Sequence, residues 1–154
     1  VEQNQNTSIW LNNKFYLVPV YAAEYDFTAV SYGSVSMGAP AVWRAGDVDF
    51  VNGDGKPTVR NVGNTKLNII VNQSDMGFGK DVNNVWDVQF DARLGHTSAE
   101  PLYDPFTDHE LIDTLDRSHT DELDFSIHVI KGFGSHSGTM TLRVFNPETP
   151  QVPT

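Results

Sequence analysis

The oxygen-bearing side chains of Asp47, Asp49, Asn52 and Asp54 gather around the turn Asn52-Gly53-Asp54-Gly55. Carboxylates and amides about a glycine turn are the ligand chemistry of calcium, a hard cation that takes oxygen donors. The spacing departs from the D-x-[DN]-x-[DN]-G loop: Asn52 stands three positions after Asp49 rather than two, and no bidentate Glu follows at the twelfth position. The competing reading is an Asx-rich hairpin turn, whose side chains accept nearby backbone N–H groups. The cofactor expectation is none, or calcium at these four residues.

A second acidic group comprises Asp104, Asp108, Glu110, Asp113, Asp116, Asp121 and Glu122. Two carboxylates held about 5–9.5 Å apart could serve as a glycosidase pair, but a charge run is ordinarily a solvated face. The five histidines, His96, His109, His119, His128 and His136, form no H-E-x-x-H or Cys/His metal pattern and read as surface residues. Gly134-Ser135-His136-Ser137-Gly138 has His where a G-x-S-x-G elbow needs Ser, and it joins two strands. Gly79-Lys80 lacks the rest of a phosphate-binding loop. With no cysteine in the chain, thiol nucleophiles and disulfides are excluded. The sequence therefore predicts no enzyme. Trp10, Trp43 and Trp86 could stack on sugars, which gives the alternative of a monomeric carbohydrate-binding or adhesion domain; Trp86 shares parity with Val88 and Phe90 and is expected in the core. Lys14 and Asn146 have the chain positions of an isopeptide pair, although no acid can be assigned beside them.

The chain has 154 residues and a net charge of −10. That length suits one domain, and the charge disfavours nucleic acid and anionic membranes as partners. No apolar run approaches the roughly 20 residues that cross a bilayer, so no membrane insertion is expected. Asn6 and Asn72 lie in N-x-[ST] sequons and are the candidate glycosylation sites, with glycans as possible partners. The first residue is Val, which fits a removed signal peptide or a trimmed chain.

Strands must position all of this. Leu67, Ile69 and Val71 recur at a period of two, as do Trp86, Val88 and Phe90, then Leu123, Phe125, Ile127 and Val129, then Met140, Leu142 and Val144. Residues 41–44 and 48–51 are shorter strand candidates. A glycine-rich hairpin loop spans 131–138. Thr107-Asp108-His109-Glu110 fits a capping box, and Leu111, Ile112 and Leu115 supply an apolar stripe, so one short helix is expected over 108–117. The fold expectation is all-β: an antiparallel β-sandwich, immunoglobulin- or jelly-roll-like, with that helix. Residues 1–8 form a flexible arm, 9–145 the sandwich, and 146–154 an extended Pro-rich tail.

Residues 9–20 hold the densest apolar content: Ile9, Trp10, Leu11, Phe15, Tyr16, Leu17, Val18 and Val20. Pro19 lacks a ladder donor and assigns this run to a sheet edge. Left solitary, such an edge is an aggregation hazard, so it is either the first strand of its own sheet or a strand lent to a neighbour.

V-R-N-V-G-N-T-K-L-N-I-I-V, followed later by L-D-F-S-I-H-V-I-K-G-F-G-S-H-S-G-T-M-T-L-R-V, resembles secreted immunoglobulin-like β-sandwiches of prokaryotic surfaces. These include TasA-type matrix fibre subunits and sheath or surface proteins of methanogenic archaea. The resemblance covers residues 59–145; the acidic loop 95–121 departs from it. It implies an extracellular or cell-surface location and a structural subunit of a fibre, sheath or layer. It also implies a homopolymer in which the N-terminal segment pairs with a neighbouring copy.

Overall fold

The computed structural model describes residues 22–95 and 100–146. Eight strands run through them: β1 (Ala23–Tyr25), β2 (Val42–Arg44), β3 (Thr58–Asn61), β4 (Asn68–Gln73), β5 (Val88–Leu94), β6 (His109–Glu110), β7 (Thr120–Val129) and β8 (Met140–Phe145). All pairings are antiparallel.

The ten-residue β7 organises the larger sheet. Along one edge it pairs with β5, from Val88↔Val129 to Leu94↔Leu123. Along the other, β3 pairs with its first residues and β2 with its later ones, in tandem; β1 pairs with the far side of β3. Gly46 sits where β2 hands over to β3. A Cβ there would lie 1.9 Å from the Pro57 carbonyl oxygen and 2.6 Å from that of Leu123, so the close approach of three backbones requires glycine. The smaller sheet has the order β6-β4-β8.

Alternation does the sorting. Ile69 and Val71 from β4, Val88, Phe90, Ala92 and Leu94 from β5, and Leu123, Phe125, Ile127 and Val129 from β7 form one buried apolar cluster shared by the two sheets. Leu67 is also fully buried.

The helix expected over 108–117 is absent: among the described residues the structure is all-β. Thr107 does not cap; its hydroxyl donates to Pro105 O. The backbone N–H groups of Leu111 and Leu115 donate instead to Ile69 O and Leu67 O. Two leucines four apart read equally as a helical stripe or as two anchors of an extended edge segment. Here they are anchors, buried against β4, while Ile112 between them is exposed. A ladder with an existing strand satisfies those amides without the nucleation cost of a short helix. Residues 48–51 are likewise not a strand, and Val48 and Val51 are exposed. Trp86 precedes β5 and is half-buried rather than core, with the Lys80 ammonium 4.6 Å over its ring and Phe106 at 5.7 Å. No helix among the described residues is long and apolar enough to cross a membrane.

Candidate functional site

On one flank the described residues of the two sheets leave a gap. β8 pairs with β4 along one edge, and among the described residues nothing pairs with its other edge. Met140, Leu142 and Val144 point to the core but stay half-exposed, while Thr141 and Arg143 alternate outward. Facing them, the end of β1 and the segment after it bring Tyr25, Phe27, Val30 and Val35, also half-buried. Between lies a cleft of about 900 Å3 floored by Ile127 and Val129. Burial there raises the Tyr25 phenol to about 12, which keeps the ring uncharged and the wall apolar.

One end of this cleft is walled by the loop 131–138 and the turn 74–78. The imidazole of His136 stacks on Phe78, centroids 3.8 Å apart and planes 11° apart. Its Nδ1 lies 2.9 Å from Met76 O and its Nε2 2.9 Å from Phe133 O. A Cβ on Gly132 would come within 2.6 Å of the Phe78 ring, and Gly132 has φ +155°; glycine lets the loop lie flat on that ring.

At the edge of the larger sheet, carboxylate oxygens of Asp26, Asp47 and Asp54 lie within 4.8 Å of one another. Buried Asp26 accepts Thr58 N at 2.7 Å and Val51 N at 3.2 Å. Asp47 accepts Asp49 N and the Thr58 hydroxyl, each at 3.1 Å, and Asp54 accepts Lys56 N at 2.9 Å. Asp47 and Asp54 were expected here. Asp26, 21 positions before Asp47 in the chain, had no spacing signal. Asp49 is outside the converging carboxylates and contributes its carbonyl to the Thr58 hydroxyl. Asn52 occupies the exposed turn, whose Gly53 and Gly55 have φ of 83° and 77°.

The second acidic group disperses. Asp108 bridges β4 and β8: it accepts from the Asn72 amide at 2.9 Å and from Arg143 at 2.5 Å, and these bonds hold its carboxyl below the usual range. Asp104 accepts from Gln89, Glu110 from Asn68, and Asp116 lies 3.8 Å from Lys66. Asn72 of the second sequon thus lies in β4, with its amide engaged. A polar contact that sequence reasoning missed joins Glu100 to His109, 2.7 Å apart, with the imidazole stacked on Tyr103 at 4.4 Å. Burial pushes the Glu100 carboxyl up, against the opposing pull of His109. Trp43 stacks with Arg93, 4.5 Å from guanidinium to ring.

Residues 1–21, 96–99 and 147–154 lie outside the described residues. This takes in Asn6, His96, Trp10, Lys14 and the whole apolar run Ile9, Trp10, Leu11, Phe15, Tyr16, Leu17, Val18 and Val20. No protein-family model, curated protein or solved structure matches the chain.

Proposed function

We propose that this chain is a structural subunit of an extracellular fibre, sheath or surface layer, built as an immunoglobulin-like sandwich and assembled by strand addition. Residues 9–20 of one copy lie along the free edge of β8 in the next copy and fill the cleft. The observation that carries this reading is the open flank: an edge that no described residue pairs with, whose inward side chains are apolar and half-exposed. Main-chain bonds along β8 set the register, and alternate apolar side chains enter the cleft. Each large apolar side chain fully buried there contributes about 1.5–3 kcal/mol.

Direction favours a neighbour as donor. Ala22 O accepts from Val62 N, and Ala23 pairs with Asn61. The Asn61 amide bonds Leu115 O, Leu115 bridges Leu67, and the adjoining Asn68 pairs with Phe145. The chain therefore enters β1 at the end of the body where β8 finishes. A segment of the same copy, running toward Ala22, can lie along β8 only parallel to it. A neighbour's segment is free to run antiparallel, the slightly more stable pairing.

The test is deletion of residues 1–20. A folded monomer that no longer polymerises, and polymerises or binds again when the 9–20 peptide is supplied, supports donation. A deletion that assembles as the full chain does removes the proposal, and one that unfolds assigns the segment to its own sheet.

A monomeric carbohydrate-binding domain is the second reading. It is favoured by Phe106, an exposed aromatic held at φ 59° beside Trp86, since strained backbone concentrates at functional positions. Binding to an insoluble polysaccharide that is lost on Trp86→Ala would support it.

A further inference from the structure

His136 has a geometry that only one of its protonation states satisfies. Both ring nitrogens face carbonyl oxygens, Met76 O and Phe133 O, each at 2.9 Å. A carbonyl oxygen can only accept. A neutral imidazole offers one N–H and one lone pair, so one of the two contacts would set lone pair against lone pair. The imidazolium donates to both, and its charge is favourable over the face of Phe78, 3.8 Å away.

The loop that carries His136 depends on these contacts. It is anchored at its start, where Ile130 N and Lys131 N donate to Asp87 O, and at its end, where Thr139 N donates to the Ser74 hydroxyl and Ser74 N to Thr139 O. Between those anchors, the hydrogen bonds of residues 132–138 among the described residues are the two at His136. The bond to Met76 O ties the loop to the facing turn; the bond to Phe133 O folds the loop on itself. The charged groups on the elements packed here are Lys131 on the loop and Asp75 on the turn, and the Asp75 carboxylate is already held by Gly77 N at 3.0 Å and Gly79 N at 3.1 Å. Phe133, beside the latch, is 94% exposed and lines the cleft.

We propose that His136 is a proton-operated latch: protonation clamps the loop 131–138 onto the turn 74–78 and fixes the end wall of the cleft that accepts a neighbour's strand. The proposal rests on the strand-addition reading for its consequence, but not for the latch itself. The latched state needs a proton on both ring nitrogens. When one proton leaves, one bond goes and the wall loosens. A wall held in place before binding lowers the ordering cost of accepting a strand, so assembly is faster when the latch is closed.

The experiment uses the full chain, its His136→Phe variant, which keeps an aromatic ring over Phe78 but no donor, and His119→Gln as an exposed-histidine control. Imidazole nitrogen NMR, amide exchange of the loop corrected for intrinsic pH dependence, and the rate of polymerisation are followed from about pH 8 to pH 6, the interval in which histidine titrates. Both His136 nitrogens are expected to be protonated as pH falls, with loop protection rising about tenfold, the change expected of one charge-assisted hydrogen bond. Polymerisation is expected to quicken over the same interval. His136→Phe is expected to flatten the loop and rate profiles, and His119→Gln to leave them unchanged. Loop protection that ignores pH, or that rises equally in His136→Phe, overturns the latch. A loop that follows pH while the rate profile matches that of His136→Phe overturns its control of the cleft. A chain that polymerises at no pH overturns strand addition, and the exchange and NMR arms still decide the latch.

Discussion

Gly46→Ala tests the junction on which the larger sheet depends. The added methyl would sit 1.9 Å from Pro57 O and 2.6 Å from Leu123 O, and both obstacles are backbone. Relief requires β3 or β7 to move by about an ångström, given that carbon–oxygen contacts are comfortable only beyond 3 Å or so. Three hydrogen bonds are exposed to that movement: Leu123 N to Pro57 O at 3.1 Å, Gly46 N to the Asp124 carboxylate at 2.8 Å, and Thr58 N to the Asp26 carboxylate at 2.7 Å. Overpacking costs about 1–3 kcal/mol, and each weakened bond adds about 1 kcal/mol. The expected loss is about 4–6 kcal/mol, a large share of the 5–15 kcal/mol typical of a domain. Urea unfolding followed by tryptophan fluorescence should show a midpoint lower by about 1 M or more. Gly53→Ala is the comparison: nothing lies within 4 Å of its Cβ, and its cost comes from φ +83° alone, about 1–2 kcal/mol. A Gly46→Ala midpoint within the range of Gly53→Ala would refute the close-packed junction.

Leu142→Asp puts a charge into the cleft from a half-exposed position and is expected to leave a folded monomer that no longer polymerises, read by circular dichroism and light scattering; polymerisation at the parent rate contradicts the placement of the partner strand. Asp26→Ala strips acceptors from Thr58 N and Val51 N and should cost about 2–4 kcal/mol of unfolding free energy. A divalent cation that binds the chain is expected among Asp26, Asp47 and Asp54, so heat released on calcium titration should vanish in Asp54→Ala; heat that survives contradicts that placement. Burial raises the Glu100 carboxyl above its usual 4.5, so the folded state holds a proton that the unfolded state releases. Stability from this group is complete below 4.5 and declines as pH rises through the raised folded value. Glu100→Gln should flatten that part of the profile in urea midpoints, and an unchanged slope would count against it.

The long strands were legible because each buries one face, so β4, β5, β7 and β8 show their period directly in Ile69/Val71, Val88/Phe90, Phe125/Ile127/Val129 and Leu142/Val144. The 108–117 segment misled because Leu111 and Leu115 satisfy a helical spacing and also the spacing of two anchors on β4; long-range amide bonding decided it. Trp86 shares strand parity but precedes the ladder, so parity alone misplaced it. Asp47 and Asp54 were visible as a turn, whereas Asp26 joins them only through the pairing of β1 with β3. The cleft exists only once β8, the β1 region and the floor residues Ile127 and Val129 come together. His136 was legible only as a failed catalytic motif, because its meaning lies in two carbonyl groups, one of them 60 positions away.

The most direct test of strand addition is to find out whose N-terminal segment lies on β8. Thr141 is exposed on β8 and points away from the core, so a photoreactive residue there reports on whatever occupies the edge. Polymers grown from an equal mixture of isotopically light and heavy chains, irradiated and digested, yield cross-linked peptides whose masses reveal their origin. The account predicts adducts between Thr141 and residues 9–20 in which light and heavy peptides are mixed as freely as light with light. Adducts confined to peptides of the same label would place each segment on its own β8 and contradict it.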